Sequence, residues 1–431
     1  MDYPAAKRYL LSLKESIGPK YGIDRMRLLA ERLEHPERRY PVIHVAGTNG
    51  KGSVCAMLEA IYRRTGCVTG LYTSPHLVFL GERVQVNRAM LTPEEICAYT
   101  EELRPHAEAL AAAHPDDAPT FFEFMTAMAF VHFVRKAVGI GLIEVGLGGR
   151  LDATNVVQPQ LSVITSIGLD HTELLGNTLS EIAVEKAGII KPEVPVVIGR
   201  LPGEAEEIVR TIAASRRAPV YGVREIFGED WTTYPATRLE GSYQRVNAAT
   251  ATLATQVLND LLPVSDDDCA AGLRETEWAA RWERFPLADG RTLILDASHN
   301  AEGAQTLDEN LSRLRLETGR TPIIMVGALG EYRARVLLGV TVKHAREIVL
   351  LQPKQPRATP LAELQRFIPS SFRGLVHLGR VEEIFPAPGA CALGAPGDTL
   401  VVTGSIYLLG EILDRFRHQD PVGEGALQDR V

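Results

Sequence analysis

Val42-Ile43-His44-Val45-Ala46-Gly47-Thr48-Asn49-Gly50-Lys51-Gly52-Ser53 is the stretch from which the rest of the chain can be read. Val42 to Ala46 are apolar or β-prone, glycines follow at 47, 50 and 52, and Val54 to Arg64 returns to a helical pattern, so the order is strand, loop, helix. Glycines let the backbone N–H groups of Thr48 to Gly52 turn inward on an anion. The N-terminus of the following helix adds partial positive charge, and Lys51 reaches terminal phosphates. Ser53 then has the hydroxyl expected on a Mg²⁺ ion. The spacing departs from G-x-x-x-x-G-K-[ST], because Gly52 separates Lys51 from Ser53 and no glycine lies five before Gly50.

The chain around this loop has 431 residues, 45% hydrophobic and 23% charged, the balance of an ordinary soluble protein with room for two or three domains. Its net charge of -8 comes from 46 basic and 54 acidic residues, with no long block of either sign. Nucleic acid is therefore excluded as a partner, since a phosphate backbone needs a concentrated basic face. Cys55, Cys67, Cys97, Cys269 and Cys391 form no C-x-x-C pair, which points away from zinc and disulfides and toward a reducing cytoplasm. The first residues lack an apolar signal region, and no uncharged run approaches the roughly 20 residues of a membrane span. A soluble cytoplasmic protein without a membrane partner is expected.

Outward from the loop, residues 1–40 read as helical, with Ile23, Met26, Leu29, Ala30 and Leu33 near a 3.6 period until Pro36. They are expected to cover the loop's mouth or cap a sheet. A second strand over Cys67 to Ser74 ends in Ser74, and ligands in open α/β sheets collect at such carboxyl ends. A helix begins at Thr92-Pro93, and an apolar helix spans Thr120 to Lys136, in which Thr120 and Glu123 are polar exceptions. The strand Ile140 to Val145 is apolar except for Glu144 near its end, where nucleotide-hydrolysing folds hold their metal. Leu161 to Ile167 delivers Asp170-His171 to the same edge.

A helix from Gly176 to Ala187 closes at Gly188, and a strand from Pro195 to Gly199 leads to a helix from Gly203 to Arg217. A long helix covers Tyr243 to Leu262. Near Phe285 to Arg291 the pattern resets into strands at 292–295, 322–328, 347–351 and 400–402 with helices between. This alternation predicts an α/β fold: a doubly wound, mostly parallel sheet carrying a P-loop-type ATPase domain over residues 1–288, and a smaller Rossmann-like domain over 289–431. A cleft between two such domains is a favoured catalytic location.

The segments HVAGTNGKGSV (44–54), LYTSPHL (71–77), TFFEFMTAMAF (120–130), EVGLGGRLDATN (144–155), SVITSIGLDHTELLG (162–176), EKAGIIK (185–191), LDASHN (295–300) and VTGSIYLLGE (402–411) resemble those of folylpolyglutamate synthase and dihydrofolate synthase, within the Mur ligase superfamily. The resemblance spans nearly the whole chain in the right order. It implies an ATP-dependent ligase that joins the amine of L-glutamate to a carboxylate of dihydropteroate or of a folate already carrying glutamate. A carboxylate is a poor acyl donor, so the implied route passes through an acyl phosphate. Such chemistry needs positioning and charge neutralisation more than a nucleophile.

By similarity, Ser53 and Glu144 hold the Mg²⁺ that travels with ATP, and Ser74, Glu144 and His171 hold a second. Thr48, Asn49, Gly50, Lys51, Gly52, Ser53, Asn247, Arg281 and Asp296 match positions that contact ATP. Lys186 fits the family's carbamylated lysine, and with Lys51, Glu144, His171 and His299 it makes up the implied catalytic set. His299, Ser405 and Tyr407 resemble positions near the incoming glutamate. Thr120, Phe121, Phe122, Glu123, Phe124, Leu151 and Asp152 are the expected pterin pocket. The chain is expected to work as a monomer.

Three departures from the family pattern stand out. Tyr243-Gln244-Arg245-Val246-Asn247 replaces a His-Gln pair before the Asn-Ala-Ala run, and Ala279-Ala280-Arg281 replaces Pro-Gly-Arg. Gly330-Glu331-Tyr332-Arg333 stands where a Lys-Asp motif is common. Two competing readings share parts of this evidence: a Mur-type ligase of peptidoglycan precursors, which would need a longer segment before the phosphate loop, and an ATPase that does not ligate.

Overall fold

In the computed structural model, which describes residues 1–17, 22–420 and 422–428, the opening stretch forms β1 (Val42–Ala46), buried at every position. Its sheet is completed by β2 (Thr69–Tyr72), β3 (Val84–Val86), β4 (Ala89–Met90), β5 (Ile140–Glu144), β6 (Leu161–Ile164), β7 (Val196–Ile198) and β8 (Val220–Gly222), in the order β4-β3-β2-β5-β1-β6-β7-β8. β1 pairs in parallel with β5 on one side and β6 on the other. Among the described residues the antiparallel pairs of this sheet are β2 with β3 and β3 with β4, at one edge. Strands covered on both faces are mostly apolar, and the polar residues that β1 and β6 do carry are hydrogen-bonded: His44 to Thr154 Oγ1 (2.8 Å) and Ser162 to Ile189 O (3.1 Å).

The helices of this lobe are α1 (Tyr3–Ile17), α2 (Asp24–Arg32), α3 (Lys51–Arg64), α4 (Pro93–Ala113), α5 (Phe121–Arg135), α6 (Thr172–Leu175), α7 (Leu179–Ala187), α8 (Gly203–Ser215), α9 (Val223–Phe227), α10 (Ser242–Val257) and α11 (Asp266–Glu275). One face of the sheet packs a core of Leu10, Met26, Leu29, Leu103, Phe124, Met128, Phe130 and Phe133. The opposite face packs Val54, Leu58 and Ile61 with Ala248, Ala251, Leu253 and Leu273. Of the helical stretch expected over 1–40, residues 18–21 lie outside the described residues.

The second sheet contains β9 (Arg281–Pro286), β10 (Thr292–Asp296), β11 (Ile323–Val326), β12 (Glu347–Leu350), β13 (Leu375–Leu378) and β14 (Thr399–Thr403), ordered β13-β12-β11-β14-β10-β9. It is parallel except for β9, which runs against β10. α12 (Ala301–Thr318), α13 (Glu331–His344) and α14 (Leu361–Arg366) cover one face, while α15 (Val381–Ile384) and α16 (Ile406–Arg417) cover the other. Because β9 begins at Arg281 and belongs to this sheet, sheet membership changes before the boundary expected at 288/289.

Two local readings differ from the sequence expectation. The helix read from Gly176 to Ala187 starts only after Gly176, whose φ of +112° breaks the pattern, and Thr178 caps α7 by accepting from Glu181 N. Gly188 ends α7 with an ordinary right-handed φ of -58°; it is required by packing, since a Cβ there would lie 2.3 Å from Arg150 Cβ. Among the described residues no helix is long and apolar enough to cross a membrane.

Candidate active site

The phosphate loop is held from behind by the continuation of β6. Thr48 N donates to Ser166 O (2.9 Å), Asn49 N to Ser166 Oγ (2.9 Å) and Thr165 Oγ1 to Asn49 O (2.6 Å). Gly50 has φ +85°, and a Cβ there would lie 2.4 Å from Asn247 Oδ1, so backbone conformation and packing both demand glycine. Asn247 is fixed in turn: its Nδ2 donates to Gln244 Oε1 (3.0 Å), and Gln244 Nε2 donates to Ser53 Oγ (3.3 Å). Trp278 lies over Gly52, where a Cβ would come 2.9 Å from the indole Nε1. Lys51 Nζ donates to Gly47 O (3.0 Å) and Thr48 O (3.2 Å). The loop therefore presents amides and an ammonium at a helix N-terminus that has no side-chain cap, an arrangement suited to phosphates.

Polar strand ends meet beside it. Glu144, the last residue of β5, is 5% exposed and accepts Ser74 N at Oε2 (3.3 Å). Burial pushes its carboxyl up to about 7, although Lys51 pulls in the other direction. His171 sits at φ +49°; burial lowers its imidazole to about 4, and its buried Nδ1 has no hydrogen-bond partner. Lys186 is buried on α7, donates to Gly47 O (2.9 Å) and is lowered to about 7 by burial and then by Lys51.

These groups fit a divalent cation. A buried carboxylate with one amide partner, a neutral imidazole with an unused nitrogen, and the hydroxyls of Ser53 and Ser74 are hard oxygen and nitrogen donors. Among the described residues no three His, Cys, Asp or Glu cluster as a metal cage.

The second lobe closes the site. Asp296 ends β10, is 1% exposed and accepts Ser298 N (3.1 Å); burial raises its carboxyl, with Arg281 among the groups opposing that. His299 Nδ1 donates to Ala297 O (2.8 Å), and Nε2 faces Asp170 at 3.5 Å. Asp170 also accepts Arg333 Nη2 (2.5 Å) and Asn300 Nδ2 (3.0 Å). Burial opposes ionisation there, but His299 and Arg333 hold the carboxyl well below the usual carboxylate range. Asn49 Nδ2 donates to Glu302 Oε2 (2.7 Å), so the second lobe touches the phosphate loop itself. Ser405 caps α16 by accepting Tyr407 N (3.3 Å).

A cavity of about 830 Å³ runs between the lobes. It is lined by Thr48 to Ser53, Ser74, Glu144, His171, Lys186, Asn247, Arg281, Asp296, His299, Ser405 and Tyr407, so these sequence-derived candidates converge. The pterin candidates do not line it. Thr120 and Glu123 form a capping box, and Glu123 also accepts Arg25 Nε (3.1 Å). Phe121 and Phe124 belong to the core, which is where a helix apolar on every side must go. Asp152 spends its carboxylate on Leu147 N (2.9 Å) and Thr154 N (3.0 Å), and Leu151 is exposed outside the cavity. Phe122 and Asp152 lie behind the wall: the Phe122 ring is 2.6 Å from where a Cβ on Gly146, a lining residue, would sit, and Asp152 is bonded to the lining residue Leu147.

Sequence reasoning missed Trp278, Glu302 and Arg333 as members of the cavity wall. Glu302, two residues after Asn300 in the LDASHN segment, was the one with a usable signal: an acidic residue in the first turn of α12, at the same strand end as Asp296.

Residues 45–222 match the family described as the Mur ligase middle domain. The dihydrofolate synthase/folylpolyglutamate synthase of Bacillus subtilis is 38% identical over 352 residues, covering 76% of this chain and 80% of that protein. The crystal structure of folylpolyglutamate synthase from Thermotoga maritima superposes with a TM-score of 0.82 at 29% identity, covering 98% of each chain. E. coli FolC in complex with DHPP and ADP superposes with a TM-score of 0.81 at 27% identity, covering 95% of this chain and 96% of that one. With a phosphate loop, a ligand-poor buried carboxylate and a second α/β lobe meeting in one cleft, and with that likeness along most of its length, the chain belongs to the dihydrofolate synthase/folylpolyglutamate synthase family of ATP-dependent ligases in the Mur ligase superfamily.

Proposed function

We propose that this chain uses ATP to activate the carboxylate of dihydropteroate, or of a folate or tetrahydrofolate already carrying glutamate, and joins it to the amine of L-glutamate. The observation that carries the reading is that Lys51 and Glu144 of one lobe and His299 and Ser405 of the other line the same cavity. An ATPase that only hydrolyses has no need of the second wall. A carboxylate oxygen bonds to the γ-phosphorus as the bond to ADP breaks. The amine nitrogen then bonds to the acyl carbon, inorganic phosphate leaves, and the amine gives up a proton.

The residues divide the work by chemistry. Lys51 exchanges the carbonyls of Gly47 and Thr48 for phosphate oxygens, and Asn247, Arg281 and Asp296 bind the rest of ATP. Mg²⁺, when bound, neutralises phosphate charge; Ser53 and Glu144 would hold the ion on ATP, and Ser74, Glu144 and His171 a second one. His299, Ser405 and Tyr407 receive the amino acid. For the pterin, Phe122 and Asp152 act from behind the cavity wall, the ring against Gly146 and the carboxylate on Leu147 N (2.9 Å). Both lobes of the cleft come from one chain, which supports action as a monomer; the reading places it in the cytoplasm.

The test is ADP release with ATP, Mg²⁺, L-glutamate and either dihydropteroate or tetrahydrofolate. Release that requires both the acid and the amino acid supports the reading. Release indifferent to either one rejects it.

A further inference from the structure

The segment 422–428 follows α16 of the second lobe but is seated on the first. It leaves from Asp414 of α16, whose carboxylate accepts Val422 N (3.0 Å) and Gly423 N (3.3 Å). Leu427 then enters the first lobe's core beside α1, and Lys14 Nζ donates to the carbonyls of Ala426 and Gln428. Glu424 is 3% exposed, and its carboxylate accepts Tyr3 Oη–H (2.5 Å) and Leu80 N (2.6 Å).

Those contacts converge on the residues that continue from Ser74. Arg83 Nε donates to His76 Nδ1 (2.9 Å), which leaves the proton on Nε2, and that nitrogen donates to Glu424 O (3.4 Å). Gln428 Nε2 donates to His76 O (3.1 Å) and Leu77 O (2.9 Å). The same stretch is gripped from the second lobe. Val78 is buried among Leu408, Leu409, Ile412 and Leu413, and a Cβ on Gly410 would lie 2.2 Å from Leu77 O. Residues 75–80 are therefore clamped between α16 and the segment after it, with Ser74 and its bond to Glu144 immediately upstream.

We propose that Glu424 is a positioning residue of the reaction: Glu82 accepts Leu77 N (2.7 Å), Val78 N (3.0 Å) and Phe79 N (2.8 Å) and shapes the turn from within, while the bond from Leu80 N to Glu424 anchors that turn to segment 422–428, and so holds Ser74 where its amide meets Glu144. The role rests on the ligase reading above. Glu424 touches no reacting atom and acts through Ser74. A buried carboxylate on a backbone amide is a strong, geometrically definite tether, and an amide side chain of the same shape is a weaker acceptor.

The experiment compares full-length wild type with Glu424→Gln, Tyr3→Phe and Gln428→Ala. Hydrogen exchange of the amides from Ser74 to Leu80 is measured without ligands, together with the apparent KM for Mg-ATP. Glu424→Gln is expected to speed exchange in this stretch about fivefold and to raise the KM about threefold with kcat less affected. Gln428→Ala, which removes a second grip on the same residues, is expected to move both readouts the same way. Tyr3→Phe, which leaves the Leu80 bond in place, is expected to change both by less than about twofold. Exchange at 74–80 unchanged in Glu424→Gln and Gln428→Ala, or an equal rise in Tyr3→Phe, would overturn the proposal and leave Glu424 a packing residue. The exchange arm needs no substrate, so it decides the proposal even if wild type shows no glutamate-dependent turnover, a result that would instead reject the ligase reading.

Discussion

Lys186 Nζ donates to the carbonyl of Gly47 at 2.9 Å, tying a buried amine to the first glycine of the phosphate loop. Burial lowers that amine to about 7, so near neutral pH a substantial fraction is uncharged and able to add carbon dioxide, as the family resemblance implies. Carbamylation would replace a cation by an anion in the cavity that Glu144 also lines. We predict that Lys186→Ala lowers ADP release by about two orders of magnitude or more, and that small carboxylic acids partly restore it. Full activity of that variant without an additive would remove Lys186 from the mechanism.

Glu144 carries a stability cost with a definite sign. Its folded value of about 7 lies above the ordinary carboxylate range near 4.5, so the folded state binds the proton more tightly and loses stability as pH rises between those values. The loss amounts to about 3 kcal/mol at most. Without nucleotide, Glu144→Gln should unfold at a higher temperature than wild type at pH 8 and show little difference at pH 5. The same variant should lose ATP turnover. Equal melting temperatures at pH 8 would show that the carboxylate is better solvated than its burial indicates.

His44 gives the opposite slope. It sits in the middle of β1, wholly buried; its Nε2 lies 2.8 Å from Thr154 Oγ1, and burial lowers it to about 3. A folded value below the unfolded one means stability that is complete above about pH 6.5 and is lost as pH falls toward the folded value. His132, lowered to about 4, adds to the same slope. We predict a fall in Tm between pH 7 and pH 5 that is smaller in His44→Gln, read from matched melting curves. An identical fall in both proteins would place the acid sensitivity elsewhere.

Gly50→Ala forces a left-handed φ on an L residue and a methyl group against Asn247 Oδ1 at 2.4 Å. The strain should cost about 1 to 2 kcal/mol and displace Asn247 from the position proposed for it beside ATP. The expected outcome is a KM for ATP raised about tenfold or more, with the KM for the amino acid changed little. Equal rises in both would mean that the whole cleft, and not the phosphate loop, had shifted.

What could be read from the chain follows from the range of the interactions. β1, β5 and β6 are short, mostly apolar runs because helices cover both of their faces, and the glycines after β1 carry the loop's conformation in their own backbone. The hairpin β3–β4 escaped because it is three residues against two, turning through Asn87 and Arg88 at positive φ without a glycine. The residues of α5 read only as an apolar helix with Thr120 and Glu123 as polar exceptions, and the pterin pocket there comes from the resemblance; core and pocket use the same residue types, and the fold puts Phe121 and Phe124 inward. Asp170 with Arg333, Asn49 with Glu302, and Glu424 with Leu80 are each separated by more than a hundred residues, and no local pattern announces them.

The central claim is that the acid is primed by phosphorylation in the cleft before the amine arrives. Heavy-oxygen label placed in the substrate carboxylate tests it most directly, with mass analysis of the inorganic phosphate released in the presence of ATP, Mg²⁺ and L-glutamate. The account predicts one labelled oxygen carried into each phosphate, in step with amide formed. Phosphate free of label, released alongside amide product, would contradict it.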